Sequence, residues 1–347
     1  MHKFVRNFLT EWRKLGLPFE NASFIAAISG GADSLSLLLV LNELRERKKL
    51  QNRFVAAHFN HNLRGEASRK DAEFVRALSE KLDFEFVGEI SDDQYQISKK
   101  GNLEQNARVA RYEFLTETAQ SYKAFGILTA HTINDQAETF LLNLIRGSGI
   151  SGLSGMKVLN SKFQVSSSKF KEKSQISLIR PLLSWARRDD TENFCRENEI
   201  EFRNDAMNED LGLKRVRVRK ILLPMLEDFN PKIIETLAKT ANLLQTESDI
   251  LMELKDQKPN TKDPYLFLKD LKTLSKSAVY QVLRNWLKTN RDNLRQLELK
   301  HIEAIASLIV SRKSGKMVEL PNDEIIVKKE GKIFFQKRKV EKSGSAN

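Results

Sequence analysis

The chain has 347 residues, 40% hydrophobic and 30% charged, a balance that predicts two or three globular domains rather than a disordered or fibrous protein. No apolar run approaches the roughly 20 residues of a membrane span, no secretory signal is evident, and the single cysteine excludes an internal disulfide and disfavours a zinc site, so the cytosol is the expected compartment. The net charge of +12 suggests an anionic partner such as nucleic acid.

The predicted elements of the first part of the chain alternate between strands and helices. An amphipathic helix over residues 4–16 ends at Gly16 and Pro18. It is followed by strand 24–28, helix 34–49, strand 54–59, helix 67–82, strand 84–87, helix 103–122, strand 126–131 and helix 134–146. This alternation is typical of a doubly wound parallel α/β sheet, in which ligands bind outside the carboxyl ends of the strands.

The rest of the chain changes in character. Up to residue 198, the predicted elements are a Gly-rich loop at 147–155, an exposed insertion at 161–174, an edge strand at 176–183 and a helix at 187–198. Periodic helices then run from 215 to about 310, with a linker at 257–264. The chain ends with short strands at 317–321, 324–327 and 332–335 and a disordered tail at 337–347. We therefore predict a catalytic domain at 1–215, a helical domain at 216–310 and a small β-containing segment at 311–347.

The most informative stretch is the turn between the first predicted strand and its helix, Ser29-Gly30-Gly31-Ala32-Asp33-Ser34. Two glycines let the backbone approach an anion without Cβ clashes, and the N–H groups of the helix start point at that anion. It is not a Walker loop, because no Gly-Lys-Ser/Thr follows. An ordinary β–α turn is the alternative. The order of residues resembles the pyrophosphate loop of the N-type ATP pyrophosphatases, which cleave ATP between the α- and β-phosphates.

Polar side chains follow the neighbouring strands. Asp33 could ligate the Mg²⁺ that accompanies ATP, or cap its helix. The loop after the second strand, residues 60–66, carries Asn60, His61 and Arg64, which could contact an anion or be a solvated surface loop. On the helix at 103–122, Arg108 and Arg111 share a stripe with Glu104, and either bind an anion or form a surface pair with that carboxylate.

A second strong signal is the segment that begins at His131. Asp135 and Glu138 lie on one helical face, where they could cap the helix or hold a metal or an amine. His131, at the strand tip, could contact a phosphate or carry a proton. Arg146, which precedes Gly147-Ser148-Gly149, is a candidate for a further anion nest.

A basic segment, residues 214–220, follows Asp205-Ala206-Met207-Asn208. Arg215 and Arg219 would share a helix face, and arginine forks match phosphate oxygens. A solvated charged face is the alternative.

These motifs together resemble the tRNA(Ile)-lysidine synthase family. The matching pieces are residues 29–34, 58–65, 101–112, 129–139, 146–153 and 180–183, and then 205–208, Arg215, Arg219 and Leu223-Pro224. They cover roughly residues 20–226, and Asn62 departs from the glycine expected there. The resemblance implies a PP-loop, Rossmann-like catalytic domain, followed by a helical domain and a small β-containing C-terminal domain.

The implied reaction takes place on a CAU-anticodon isoleucine tRNA. The C2 oxygen of the wobble cytidine attacks the α-phosphorus of ATP, and the ε-amine of free L-lysine then displaces AMP. The expected cofactors are ATP and Mg²⁺, with Asp33 as the metal ligand. The residues expected to act in catalysis are Asp33, His131, Asp135, Glu138 and Arg108. Those expected to bind ATP are Ser29, Gly30, Gly31, Ala32, Asp33, Ser34, His58, Asn60 and Arg111. Those expected to bind tRNA are His61, Arg64, Arg146, Arg215 and Arg219.

Three other functions stay open at this point. A tRNA thiolase of the same class would normally use several cysteines, whereas this chain has only Cys195. A small-molecule amide ligase would usually bring a glutamine-hydrolysing domain, which the sequence does not indicate. A non-enzymatic nucleotide- or RNA-binding protein would not need Asp33, Asp135 and Glu138 together. No membrane association is expected, and the oligomeric state stays open, with a homodimer as one option.

Overall fold

The computed structural model describes residues 1–60, 66–90, 103–161, 163, 176–203, 209–253, 263–291, 294, 296–311 and 315–337. Most of the predicted insertion, linker and tail lies outside this part of the chain. The chain divides into two compact units, Met1–Asp249 and Ile250–Asn347. Within the described ranges, no helix is both long and apolar enough to cross a membrane.

The first unit begins with an amphipathic helix and continues with alternating strands and helices. Its elements are α1 (Lys3–Lys14), β1 (Glu20–Ala27), α2 (Ala32–Glu46), β2 (Gln51–Asn60), α3 (Glu66–Lys81), β3 (Glu85–Ile90), α4 (Leu103–Ser121), β4 (Gly126–Leu128), α5 (Ile133–Ile145), α6 (Ile150–Leu153), β5 (Leu159–Asn160), β6 (Ser177–Ile179), α7 (Arg188–Glu197), α8 (Lys214–Arg217), a π-helical turn (Val218–Leu222), α9 (Leu223–Phe229) and α10 (Ile233–Glu253).

The described strands of this unit form one six-stranded sheet in the order β3-β2-β1-β4-β6-β5. All neighbours are parallel except β5, which pairs antiparallel with β6. β2 pairs with one edge of β1 and β3 pairs with β2, whereas β4, the next strand along the chain, pairs with the opposite edge of β1. The strand order therefore reverses between β1 and β4, the position at which doubly wound sheets bind their ligands. The predicted α/β fold class is confirmed.

Apolar side chains cover both faces of the sheet, because successive strand residues point to opposite sides. Phe24 and Ala26 of β1 pack on the face that carries α1, α2 and α7, whereas Ile25 packs on the face that carries α4. α1 contributes Phe8 and Trp12, both fully buried, and so closes one end of the first core. Because helices cover both faces of the sheet, the carboxyl ends of the strands are the position where a ligand can bind.

The region after residue 213 packs against α5. Val218, Leu223 and Ile234 share an apolar cluster with Ile133 and Leu141, so the π-helical turn, α9 and α10 belong to the same compact unit as the sheet. The boundary that we predicted near residue 215 thus lies inside this unit. The sequence could not reveal this, because helical periodicity does not identify the surface that a helix packs against.

The second unit combines helices and an antiparallel sheet around one core. Its elements are β7 (Tyr265–Phe267), α11 (Leu268–Lys272), α12 (Lys276–Arg291), α13 (Leu299–Val310), β8 (Met317–Leu320), β9 (Glu324–Lys329) and β10 (Lys332–Lys337). The strand order is β7-β10-β9-β8. Trp286 and Ile305 from the helices pack with Ile326 and Ile333 from the strands, so the predicted division at residue 310 separates elements that share a core.

Candidate active site

The turn after β1 is held in shape by one of its own side chains. The Ser34 hydroxyl accepts the backbone N–H groups of Ser29 and Gly30 at 3.0 and 3.1 Å, and donates to the Gly31 carbonyl at 2.9 Å. Gly30 has a φ of +91°, which only glycine adopts without strain. α2 begins at this turn with Gly31 as its N-cap, so the N–H groups of the first helical turn lie beside a pre-formed loop.

A cavity of about 670 Å³ opens beside this loop, a size typical of small-molecule sites. Strand ends and loops from β1, β2 and β4 meet there with α7. Of the predicted site residues, the cavity is lined by Ser29, Gly31, Ala32, Asp33, Ser34, His58, Asn60, Arg111, His131, Asp135 and Arg219. The residues outside its wall are Gly30, Arg108, Glu138, Arg146 and Arg215. His61 and Arg64 lie outside the described residues, as do Asn62 and the segment 205–208.

Three carboxylates and three arginines meet at one side of this cavity. We call this group the paired cluster; it consists of Asp33, Asp135, Glu138, Arg188, Arg215 and Arg219. Its centre is Glu138, which has 0% exposure. Both Glu138 oxygens accept from arginines, at 2.8 Å from Arg215 Nε, 2.6 Å from Arg219 Nε and 3.3 Å from Arg188. A carboxylate this deep is tolerated because it is paired and hydrogen-bonded.

Asp135 takes one of the two roles that the sequence left open, the helix cap, and also pairs with an arginine. Its Oδ2 accepts the backbone N–H of Thr132 at 2.8 Å and so caps α5, while its Oδ1 accepts from Arg215 at 3.0 Å. Burial raises the pKa of Asp135, but the positive charges of Arg215 and Arg188 outweigh burial and hold the pKa below its ordinary value. Asp135 is therefore ionised at neutral pH, and one edge of it faces the cavity.

Asp33 is the least compensated carboxylate of the paired cluster. The Thr191 hydroxyl donates to it at 2.5 Å, and the nearest Arg188 nitrogen lies 4.0 Å away. Burial and the negative charge of Asp135 raise the pKa of Asp33 from 3.8 to about 6. A cation bound beside it would relieve this unfavourable charge.

The position of Asp33 fits a Mg²⁺ ion that arrives with a nucleotide. Such ions are usually held by one or two carboxylates together with substrate phosphates. Among the described residues, no group of three or more His, Cys, Asp or Glu side chains converges on a metal position. The donor set at the loop thus fits a phosphate-carried ion rather than one held by the protein alone.

The two strand-end histidines are neutral. The His58 ring nitrogen Nδ1 lies 2.8 Å from the Ile28 carbonyl, and burial lowers its pKa. His131 Nδ1 lies 3.0 Å from the Thr129 hydroxyl. Burial, with the positive charges of Arg180 and Arg108, holds the His131 pKa well below 6.5. A neutral His131 offers a hydrogen bond but is a weak base for proton transfer.

A second group of arginines lies beside His131 around Tyr112. We call it the open cluster; it consists of Arg108, Arg111, Arg180 and Tyr112. The guanidinium carbons of Arg108 and Arg111 lie 5.1 and 5.2 Å from the centre of the Tyr112 ring. In the described part of the chain, none of the three arginines has a carboxylate within ion-pair distance. The Glu104 side chain, the predicted alternative partner of Arg108, is not among those described.

The surroundings of Arg215 and Arg219 differ from the exposed basic helix face that the sequence indicated. They share a face, as predicted, but that face turns inward to Glu138 and Asp135 instead of forming an exposed basic surface. Arg146 is exposed at the end of α5 and lies away from the cavity.

Sequence reasoning missed Arg188 and Thr191 of α7. Arg188 lies 4.0 Å from Asp33, 3.7 Å from Asp135 and 3.3 Å from Glu138. Its backbone N–H donates to the Asn134 side chain at 3.0 Å, which fixes the start of α7 against α5. Both residues follow the phosphate loop by more than 150 positions, and no local pattern distinguishes them from an ordinary polar helix start.

Comparison with known proteins agrees with this geometry. A PP-loop domain model matches residues 2–226, and a TilS substrate binding domain model matches residues 266–334. The chain is 31% identical over 325 residues to a tRNA(Ile)-lysidine synthase of Clostridioides difficile, covering 91% of this chain and 67% of that protein. It is 30% identical over 311 residues to one from Clostridium acetobutylicum, covering 88% and 64%.

A solved structure shares the fold at lower similarity. It is a U34-tRNA thiolase from Methanococcus maripaludis with a [4Fe-4S] cluster, with a TM-score of 0.56, 17% identity, and coverage of 70% of this chain and 79% of that one. The chain spans about two thirds of the length of the curated relatives that it matches. The phosphate loop, the strand order and the similarity over most of this chain show that it belongs to the tRNA(Ile)-lysidine synthase family of PP-loop proteins.

Proposed function

We propose that the chain ligates free lysine to C2 of the wobble cytidine of a CAU-anticodon isoleucine tRNA, with ATP converted to AMP and pyrophosphate. The observation that carries the proposal is the pre-formed loop at residues 29–34, placed at the β1/β4 switch point beside the paired cluster. The loop supplies an anion site, and the cluster supplies carboxylates for a cation or an amine within the same cavity. Both family models support this reading.

In the first step, the C2 oxygen of the cytidine forms a bond to the α-phosphorus as the bond to the pyrophosphate breaks. The loop N–H groups would hold the phosphates, and Arg111, which lines the cavity, would offset the charge that develops on the leaving group. A Mg²⁺ ion at Asp33 would supply further charge neutralisation when the nucleotide is bound. Arg188, 4.0 Å from Asp33, orients that carboxylate.

In the second step, the uncharged ε-amine of lysine bonds to C2, AMP leaves with the bridging oxygen, and the proton that the nitrogen loses passes to the Asp135 carboxylate, which lines the cavity. Of the predicted amine-binding residues, we assign the contact to Asp135, because it lines the cavity while Glu138 does not. Glu138 has 0% exposure and both oxygens engaged, so its role is to position Arg215 and Arg219. His131 is assigned a hydrogen bond rather than proton transfer, since its pKa lies well below 6.5.

RNA recognition is assigned to two regions. Arg219 and Lys220 line the cavity and would contact a phosphate next to the unstacked base. In the second unit, the Lys332 ammonium lies 4.0 and 4.6 Å from the ring centres of Tyr265 and Phe267, and Lys269 lies over Phe267. Aromatic rings with interleaved lysines suit RNA, and this region matches the substrate binding domain model.

The experiment is an incorporation assay with ATP, Mg²⁺, labelled lysine and a CAU-anticodon isoleucine tRNA transcript. We expect label in the transcript and none in a matched transcript with uridine at the wobble position. Asp33→Asn should abolish transfer, whereas Asp228→Asn, an exposed aspartate on α9, should not. Absence of label with every tRNA, together with intact ATP binding, would overturn the proposal.

Sulfur transfer is the competing activity, suggested by the thiolase with the same fold. The chain has one cysteine, Cys195, which is buried and lies 3.4 Å from the Ala32 carbonyl. Burial and the negative charge of Asp33 raise its pKa to about 12, so it is a thiol at neutral pH and a poor nucleophile. This residue gives no support to a sulfur-carrying mechanism.

A further inference from the structure

One face of α7 packs against the first turn of α2, the helix that follows the phosphate loop. Thr191 and Cys195, one helical turn apart on this face, both have 0% exposure. The Cys195 thiol donates to the Ala32 carbonyl at 3.4 Å, and the Thr191 hydroxyl lies 2.5 Å from Asp33 Oδ1. α7 therefore contacts two successive residues at the start of α2, and Asp33 is one of them.

The position of this α7 face is set by contacts that need no ligand. The Arg188 backbone N–H donates to the Asn134 side chain at 3.0 Å, which ties the start of α7 to α5. Further along the helix, Phe194 and Cys195 belong to the first hydrophobic core, together with apolar residues of α1 and α2. Thr191 lies between these two anchors, so it is a fixed partner for Asp33.

The Thr191 hydroxyl sets the orientation of the Asp33 carboxylate. It lies within hydrogen-bond distance of two acceptors, Asp33 Oδ1 at 2.5 Å and the Arg188 carbonyl at 2.6 Å. A hydroxyl has one proton to donate, and a carboxylate is a stronger acceptor than a peptide carbonyl, so the proton goes to Asp33. The torsion that rotates an aspartate carboxylate is broad, so without this hydrogen bond the carboxylate would be free to turn.

The two oxygens of Asp33 consequently differ in their surroundings. Oδ1 is held by Thr191, whereas the Arg188 nitrogen nearest Oδ2 lies 4.0 Å away, beyond hydrogen-bond distance. The Arg188 guanidinium lies closer to Glu138, at 3.3 Å. Within the described ranges, Oδ2 accepts no hydrogen bond, and Asp33 lines the cavity. Oδ2 thus keeps its lone pairs for a ligand in the cavity.

We propose that Thr191 is a positioning residue for the cation that accompanies the nucleotide: it holds Oδ1 of Asp33 and so turns Oδ2 toward the Mg²⁺ that arrives with ATP. This role rests on the proposed function for the arrival of that ion. It belongs to a residue that is buried behind Asp33 and does not line the cavity. Mg²⁺ tolerates little departure from octahedral geometry, so a carboxylate that is free to rotate would ligate it less well.

The direct measurement is the binding of ATP to the full chain by calorimetry, once with Mg²⁺ and once with EDTA. The ratio of the two dissociation constants gives the part of the ATP affinity that depends on the ion. Thr191→Val removes the hydroxyl and keeps the shape of the side chain, so this ratio should fall about tenfold, the range for losing a hydrogen bond to a charged group. ATP affinity in EDTA should change less than about twofold, because the N–H groups of the phosphate loop still bind the phosphates.

Two single variants separate positioning from a general effect on folding. Thr191→Ser keeps the donor and should stay within about twofold of the wild-type ratio. Thr118→Val is the matched control and should leave the ratio unchanged, since Thr118 is a buried threonine whose hydroxyl donates to the Phe114 carbonyl of its own helix at 2.9 Å. Circular dichroism shows whether each variant is folded, and Thr191→Ala, which removes the same donor, replaces Thr191→Val if that variant does not fold.

A double-variant cycle tests whether Thr191 acts through Asp33. In an Asp33→Asn background, Thr191→Val should change the ratio less than about twofold, because the carboxylate that Thr191 positions is gone. A threonine that only stabilised α7 would give the same loss in both backgrounds.

The outcomes keep this role apart from the proposed function. An unchanged ratio in folded Thr191→Val, an equal loss in Thr118→Val, or a loss that persists in the Asp33→Asn background would overturn the positioning role even if lysine ligation proceeds. An ATP affinity that does not depend on Mg²⁺ in the wild type would overturn it as well. Failure of lysine ligation with the expected ATP-binding results would instead contradict the proposed function and leave the positioning role standing.

Discussion

Two groups of arginines flank one cavity, and they differ in their partners. In the paired cluster, Arg215 and Arg219 contact the buried carboxylate of Glu138, so their charges are offset before any ligand arrives. In the open cluster, the described arginines surround Tyr112 without a carboxylate. Buried ion pairs fix geometry, whereas uncompensated buried charge favours an incoming anion. The comparison indicates that the ion pairs of the paired cluster mainly hold the shape of the cavity, whereas the charge of the open cluster is left to attract an anion.

The largest effect on stability should come from breaking the paired cluster. Glu138→Gln leaves Arg215 and Arg219 buried without a full counter-charge, so we expect a loss of about 3 kcal/mol or more in the free energy of unfolding. Chemical denaturation measures it. The matched control is Glu227→Gln, which removes a half-exposed pair with Arg187 and should cost less than about 1 kcal/mol. Equal losses would mean that the paired cluster has no special structural role.

Removing a charge from the open cluster should not destabilise the fold, in contrast to the paired cluster. Arg108→Met removes a half-buried, uncompensated charge and keeps the apolar stem, so the unfolding temperature should stay the same or rise while the rate of ATP cleavage falls at least about tenfold. Thermal unfolding and pyrophosphate release measure the two effects. A clear loss of stability would show that Arg108 is structurally compensated and would remove the contrast between the clusters.

The loss of activity at acidic pH should depend on the ionisation of Asp33. If its ionised form is required, kcat/KM, which reports the free enzyme, should fall about tenfold for each pH unit below about 6. The same raised pKa means that the folded state binds this proton more tightly than the unfolded state does. Relative to Asp33→Asn, the wild type should therefore gain stability as the pH falls from above 6 to below 3.8. A loss of activity that begins only near pH 4 would mean that the negative charge of Asp33 is better compensated than its surroundings indicate.

The smallest effect should be on the pH profile of His131→Asn. His131 is already neutral well below pH 6.5, so this variant should lower the rate without changing the shape of the profile between pH 6 and 8. If the wild-type profile has a pH-dependent fall in rate that the variant lacks, His131 has the proton-transfer role that the sequence suggested.

The sequence was most informative where function depends on local backbone. The alternating strands and the loop at residues 29–34 were predicted because a strand, two glycines and a helix start lie next to each other in the chain. Asp135 and Glu138 were found by their spacing on one helix. The contacts that decide their roles were not predictable, since Arg188 and Arg215 lie 50 and 77 positions beyond Glu138 and reach it only through tertiary packing.

The second unit illustrates the same limit. Its strands after residue 316 were predicted from short apolar runs, whereas β7 was missed because Tyr265–Phe267 is three residues long and follows a polar segment. β7 pairs with β10, which is more than 60 residues away, and this pairing makes it part of the sheet. Local patterns therefore gave the type of most elements, but not which elements share a core.

The most direct test of the central claim is a single-turnover reaction without lysine. The chain is mixed with ATP labelled in the α-phosphate, Mg²⁺ and the CAU-anticodon transcript, and the RNA is separated from the nucleotides. We expect label to become attached to the RNA and to leave as AMP when lysine is added. Label that attaches to lysine or to the protein, with the RNA unlabelled throughout, would contradict it.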